Sequence, residues 1–349
     1  VWITREMGFD VGFDRFVPVG LAAIAPRGGS ANRRVRDALP RAMRDAGKNL
    51  LRYGTETLRG RDFGADAAVR AARDLLKESR RPFFWFVNVM EAHAPYLPPS
   101  RFLPRWGADR LVAPAIVHRY LDERFVLSHN LGRGTLPSRA AGILRELYAG
   151  EISYADEFLR RFVHILEPVL GDTVLVVTSD HGEHLGERHL LGHHLALDDD
   201  LLNVPLVALG PGVPRESQAK VFPLNGLPWM LASAAGLEPH PWAEPGEIAV
   251  ARYESAWEQI RRAPELAVDL RLTPEELVRL HSPMACATDG TTTLTVSGAG
   301  ERVEGDPSTL ERLRAAIAPS GGPEELQSEG VTPDEEAEIE ERLRSLGYL

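Results

Sequence analysis

A single cysteine, Cys286, stands in 349 residues, which excludes an internal disulfide framework and any zinc site built on thiolates. It reads as a small packed residue. Nowhere does the chain carry the run of about 18 apolar residues that a membrane-crossing helix needs. No charged start followed by an apolar segment marks a signal peptide. A long Lys/Arg block is missing too, and 40 basic against 50 acidic side chains give a net charge of −10. Nucleic acid is therefore a poor partner, and an anionic substrate has to be met by local cations. Arg33, Arg34 and Arg36 come nearest to a basic cluster and read as a solvated helix face. A lone cysteine is compatible with the cytoplasm and with export alike.

What is present is enough apolar material, 44% of the chain, for one large domain and a smaller one. Gly8, Gly12 and the series Phe9, Phe13, Phe16 suggest a loop packed by aromatics. From Asp66 to Ser79, the spacing of Val69, Ala72 and Leu76 predicts an amphipathic helix that feeds the apolar run Phe83–Met90 across Pro82. A second, longer helix is predicted where Leu144, Leu147, Tyr148, Ile152, Ala155, Leu159, Phe162 and Leu166 recur at three- and four-residue steps. It ends before Gly171 and leads into the run Val174–Val177. A third run, Val204–Leu209, stops at Gly210-Pro211-Gly212, and Phe222–Ala235 reads as another packed helix. Repeated helix-or-loop-then-strand units favour an α/β fold with a mainly parallel sheet flanked by helices. The proline-rich stretch 236–247 looks like a boundary, dividing a catalytic α/β domain over 1–245 from a smaller α+β subdomain over 246–349. In the latter, Asp289-Gly290 between two β-rich runs predicts an antiparallel hairpin over 284–296. Thr332, Pro333 and Glu335 open a final helix with Ile339, Leu343 and Leu346 as its stripe, and Gly347 ends it.

The chemistry-bearing stretch is SDHGEHLGERHLLGHH at 179–194, which sets Asp180 and His181 directly after the run Val174–Val177. That run is β-branched and reads as a strand buried on both faces, and ligand sites in open α/β sheets gather at the carboxyl ends of such strands. Adjacent strand residues face opposite ways, so a carboxylate and an imidazole converge on one ion only if the chain turns. Gly182 allows the turn. Four imidazoles, His184, His189, His193 and His194, follow within eleven residues. His184 and His189 read as surface or structural histidines, whereas Gly192 frees the backbone beside His193. A second constellation, NVMEAHAPYLPP at 88–99, places His93 just past the run Phe83–Met90 on a loop stiffened by Pro95, Pro98 and Pro99. A plainer reading, in which His93 only hydrogen-bonds the backbone, stands beside the functional one.

These residues carry a family resemblance. FFWFVNVMEAHAPYLPP, LYAGEISYADEFLRRFVHILEPVLGDTVLVVTSDHGEHLGERHLLGHH and DDDLLNVPLVALGPGVP look like consecutive blocks of the sulfatase family, within the alkaline phosphatase superfamily, and EERLRSLGYL resembles C-termini found there. The likeness runs along 1–349 and is strongest over 82–215. It implies an alkaline-phosphatase-like fold and an enzyme that cleaves small-molecule or carbohydrate sulfate esters. It further implies one divalent cation, usually Ca²⁺, and a formylglycine nucleophile made within a C/S-x-P-x-R motif. On matching positions, Asp180 and His181 would be metal ligands, the latter where many members carry Asn. His93 would contact the sulfate or its leaving oxygen, and His193 would bind sulfate, with His194 as the alternative. An imidazole ligand leaves Mn²⁺ or Mg²⁺ open as substitutes. Asp180, His93, His181 and His193 are then expected to line a common anion pocket.

This sequence departs from the family pattern in two places. The acidic metal-ligand pair expected near a first strand is missing, and no C/S-x-P-x-R occurs, since Cys286 is followed by Ala287-Thr288-Asp289. The expectation is that this chain, which opens at Val1 in mid-pattern, is the carboxyl-terminal part of a sulfatase and does not turn over alone. Two other readings stay open. One is a phosphodiesterase, phosphonate hydrolase or phosphotransferase of the same superfamily, and the other is a non-catalytic binding derivative of the fold.

Overall fold

The computed structural model describes residues 5, 8–19, 60, 62–79, 81–103, 107–213, 220–238, 246–254 and 263–318. The arginine cluster at 33–36 and the helix expected over 332–347 lie outside the described residues. The chain divides into two compact units, one made of residues 1–120, 137–166 and 326–349, the other of 121–136 and 167–325.

The first unit is organised by helices α1 (Ala65–Glu78), α2 (Gly107–Tyr120) and, after the segment lent to the second unit, α4 (Ser138–Leu166). The long helix expected here forms as α4, and Leu144, Leu147, Phe162 and Leu166 of the expected stripe are buried, whereas Ile152 is exposed and the stripe runs through Tyr154 and Phe158 instead. Ala140, Ile143, Leu144, Leu147, Tyr154, Phe158, Phe162 and Leu166 are buried along one stripe. The small face of α1, Ala65, Ala68, Val69 and Ala72, is buried as well, and the two helices are packed together. Arg161 bonds Asp66 at 2.5 Å and Arg139 bonds Asp109 at 2.6 Å, tying α4 to α1 and to α2. No side chain at Gly64 caps α1. Glu91 Oε1 instead accepts from the Ala65 amide at 2.9 Å, and Asp62 Oδ1 accepts from Gly64 at 3.0 Å. Carboxylates at that end suit the positive pole of a helix. Phe13 stacks on Phe84 with ring centroids 5.9 Å apart, and Arg5 lies over the Phe16 ring at 5.4 Å, in the 8–19 loop where the glycine and phenylalanine pattern anticipated aromatic packing.

Residues 83–90 correct an expectation. The run has no regular secondary structure and belongs to no ladder among the described residues, and Phe84 and Phe86 are 63% and 59% exposed. The other two apolar runs do form strands, β1 (Leu175–Thr178) and β4 (Leu206–Leu209), yet they pair with each other antiparallel, Leu175 opposite Leu209. All ladders among the described residues are antiparallel, against the mainly parallel arrangement expected. The connection explains the direction. A parallel return needs a crossover of a dozen or more residues, usually a helix. Residues 179–205 contain instead a tight hairpin, β2 (His184–Leu185) with β3 (Leu191–Gly192), and one helical turn, α5 (Asp199–Leu202).

The remainder of the second unit contains α3 (Glu123–Asn130), α6 (Leu227–Ala234), α7 (Ala263–Asp269) and α8 (Pro274–His281), of which α8 is closed by a Thr273/Glu276 capping box. Leu127, Leu266 and Leu280 form one core cluster. A four-stranded antiparallel sheet, β5 (Ala249–Tyr253), β6 (Met284–Thr288), β7 (Thr293–Ser297) and β8 (Gly300–Glu304), carries α9 (Leu310–Ile317) over a core of Ala287, Leu294 and Leu313. The hairpin expected over 284–296 is therefore β6–β7. Asp289 Oδ1 accepts the amides of Thr291 and Thr292, both at 2.9 Å, and Gly290 has φ +80°. Cys286 is buried, and its burial pushes the thiol up.

Two glycines of α4 test the packing with opposite signs. At Gly150 a Cβ would meet Phe102 O at 2.6 Å and Pro98 Cγ at 2.8 Å, whereas at Gly142 it would meet nothing within 4 Å. Gly150→Ala is expected to lower the unfolding free energy by about 1–3 kcal/mol. Gly142→Ala should raise it by about 0.4–1 kcal/mol. Urea denaturation of both variants checks the pair.

Candidate functional site

The strand β1 ends at Thr178, and the chain then turns on its own polar groups. Ser179 Oγ donates to the His181 carbonyl at 2.7 Å, and the His181 amide donates to Asp180 Oδ1 at 3.1 Å. The turn brings Asp180 Oδ2 and His181 Nε2 to 3.8 Å. Gly182 is needed for a reason other than a left-handed backbone. Its amide donates to the Leu201 carbonyl at 2.7 Å, and a Cβ there would lie 2.0 Å from Asp200 O. Only a bare α-carbon permits that approach.

The hairpin then returns the chain to its start. With His184 opposite Gly192 in the antiparallel register, the next cross-strand pair outward is Glu183 and His193. Glu183 Oε1 lies 3.3 Å from His193 Nδ1, and the carboxylate is 3% exposed. The His193 ring is 4.1 Å from that of His181 and 4.6 Å from that of His194, centroid to centroid. Asp180, His181, His193 and His194 are thus brought together. His93 stands in the first unit, on the loop after residue 90, and its Nδ1 meets the Ala94 carbonyl at 2.8 Å.

One pattern runs through these histidines. A carbonyl can only accept, so Nδ1 carries the hydrogen in His93 and in His181, whose Nδ1 meets the Gly182 carbonyl at 2.8 Å. A buried carboxylate demands a donor as well, which puts a hydrogen on His193 Nδ1.

Three supporting residues carried no signal in the sequence. Asn130, buried on α3, bonds Leu191 in both directions, Nδ2 to the carbonyl and amide to Oδ1, each at 2.9 Å. Asp198 accepts from His184, whose Nε2 lies 3.1 Å from Oδ1, and Arg188 Nε reaches Asp198 at 3.4 Å and Asp200 at 3.2 Å. His184, Asp198 and Asp200 have donor atoms within 4.8 Å of one another, the spacing a metal ion needs. Their surroundings suit a hydrogen-bonded clamp better. Arg188 already supplies the positive charge. A metal on Nε2 would also force the hydrogen onto Nδ1, which is buried without a partner. His189 is exposed, with φ +60°.

Comparison with known proteins assigns this segment. The sulfatase family profile matches residues 37–234. The chain belongs to the sulfatase family, within the alkaline phosphatase superfamily. The choline-sulfatase of Rhizobium meliloti (strain 1021) is 30% identical over 179 residues, covering 48% of this chain and 35% of that protein. The multifunctional alkaline phosphatase superfamily protein PehA of Trinickia caryophylli is 28% identical over 167 residues, covering 42% of this chain and 32% of that protein. The matches thus span about a third of the length of these curated relatives. Among solved structures, the 2-O GAG sulfatase BT1596 superposes with a TM-score of 0.36 at 13% identity, covering 79% of this chain and 57% of that one.

The tautomer is measurable. At about pH 8, above the ordinary imidazole range, His193 should show the Nδ1–H form in its ¹⁵N shifts. Glu183→Ala should return it to Nε2–H, while Glu183→Gln, whose carbonyl still accepts, should keep Nδ1–H.

Proposed function

We propose that this chain carries part of the site of a sulfuric ester hydrolase that acts on a small-molecule or carbohydrate sulfate ester. The observation that supports the reading best is the gathering of one carboxylate and three imidazoles, Asp180, His181, His193 and His194, where a strand end meets a hairpin within the family-matched segment. Asp180 and His181 are assigned as ligands of a divalent cation, Ca²⁺ first and Mn²⁺ or Mg²⁺ as substitutes. The donor set fits half of such a site. Oδ2 and Nε2 at 3.8 Å can share one ion at about 2.1–2.6 Å from each. His181 Nδ1–H is held by a carbonyl, the arrangement typical of a ligating imidazole. Ca²⁺ takes about six to eight ligands, so the other ligands come from outside this pair.

When bound, the cation polarises the ester and stabilises its negative charge. The chain's own groups do the rest that is assigned here. His193, and His194 beside it, present Nε2–H to sulfate oxygens when protonated, and charge-assisted bonds of this kind are roughly twice as strong as neutral ones. Glu183 behind His193 orients the ring. His93 is assigned the leaving oxygen, to which Nε2 of the ring in its protonated form, with hydrogen on both nitrogens, can pass a proton. The formylglycine nucleophile belongs to a C/S-x-P-x-R motif that these 349 residues do not contain, so the chain by itself is assigned binding without turnover. A second reading, phosphodiester or phosphonate hydrolysis, keeps the same superfamily, to which the printed name of PehA also refers.

The test is binding. In ¹⁵N-histidine-labelled full chain, Ca²⁺ is expected to shift His181, and sulfate to shift His193 and His194. His193→Ala should weaken sulfate binding about tenfold, worth about 1.4 kcal/mol. Rings that move with neither ion overturn the assignment, and tighter binding of phenylphosphonate than of sulfate selects the second reading.

A further inference from the structure

The first unit buries two carboxyl groups that the assigned chemistry does not use, with the half-buried Asp62 beside them. Glu151 on α4 is fully buried, and the Leu97 amide donates to its Oε1 at 2.9 Å. The Ala92 backbone also turns toward this carboxyl and favours its ionised form. Glu91 is buried, accepts from the Ala65 amide at 2.9 Å, and has Asp62 beside it. Glu91 Oε2 and Glu151 Oε2 are both buried with no hydrogen-bond partner. Asp62 in turn accepts from the Tyr154 hydroxyl at 3.0 Å.

The loop that these groups hold is under strain. Ala92 has φ +69°, a left-handed backbone that costs an alanine about 1–2 kcal/mol. The loop persists because its two ends are fastened to α4. Gly150 lets Pro98 and Phe102 approach the helix, and Glu151, the next residue, binds the loop's amides. His93 lies between Ala92 and Leu97.

We propose that Glu151 is a positioning residue for His93, a buried proton-holding carboxyl that ties residues 92–97 to α4 and loosens them when it ionises. An ionised carboxylate with one oxygen facing neither water nor a donor is costly, whereas a neutral carboxyl is tolerated. Burial raises Glu151 to about 8 and Glu91 to about 7, each from 4.5, with the neighbouring carboxylates adding to the effect. The charged and titratable groups around the pair are Asp62, Asp66 and Tyr154. Arg161 is engaged with Asp66 at 2.5 Å, and Arg101 lies over the Tyr154 ring and bonds Glu157 at 2.5 Å. The Tyr154 phenol is pushed up by burial and by Asp62, and so stays neutral.

The sign follows from linkage. A carboxyl that binds its proton more tightly when closed stabilises the closed loop fully below about pH 4.5, and that stabilisation is lost as pH rises to the closed-state value near 8. The opened carboxyl releases its proton to water. The functional consequence rests on the role assigned to His93, but the attachment is read without it.

The experiment is amide hydrogen exchange at Leu97 in the full chain between pH 5.5 and 7.5, corrected for the intrinsic pH dependence of exchange. Protection is expected to fall about tenfold per pH unit and to level off above about pH 8. Glu151→Gln keeps an acceptor for Leu97 and is expected to remove that one-proton slope. The Ala287 amide of the second unit serves as control and should lack it. Flat protection in the unsubstituted chain overturns the proposal, as does an undiminished slope in Glu151→Gln or an equal slope at Ala287. The unsubstituted series decides by itself if the variant does not fold. None of these readouts involves sulfate or metal, so failure here is distinct from failure of the hydrolase reading.

Discussion

The approach of Gly182 to the turn at Asp200 and Leu201 sets where the histidines of the second unit stand. One amide bond and one bare α-carbon pin the chain just after β1, and everything downstream is measured from there. The hairpin that follows is only two residues deep, so its register is held by anchors outside the ladder. Its register fixes Glu183 opposite His193, and the two-way Asn130 bond fixes Leu191. The His184, Asp198 and Arg188 clamp closes the same loop from the other side. His181 and His193, twelve residues apart in sequence, are thereby brought ring to ring without either belonging to a long regular element.

The molecule buries glutamates in two different ways, and the contrast is instructive. Glu183 sits against an imidazole, so its charge has a partner and it can dictate which nitrogen of that ring carries hydrogen. Glu151 has backbone amides and other carboxyls around it and no cation against it, so it holds its proton instead. Burial is nearly the same in the two cases. What differs is the company, and with it the property each residue confers: a fixed tautomer in one, a pH-dependent fastening in the other.

Much of this was legible in the residues themselves. The 3.6-residue stripe of α4 and the Asp-Gly turn of β6–β7 are local patterns, and local patterns survive translation into structure. The turn after β1 was readable from Asp180-His181-Gly182, although the glycine serves close approach rather than a left-handed backbone. Strand direction was not readable, because apolar runs say that a segment is extended without saying what it pairs with. Phe83–Met90 shows this most clearly, being as β-prone as any run and yet in no ladder among the described residues. The partners of His184, Leu191 and Leu97 were equally invisible, since Asp198, Asn130 and Glu151 are distant in sequence or look like ordinary polar residues of a loop or helix.

The bare flank of residues 83–87 has a practical side. Two exposed phenylalanines in a β-prone, uncharged run are a sequence pattern that favours cross-β association. A charged residue at Phe86 would take one of the two exposed rings off this flank, at a distance in sequence from every histidine but His93.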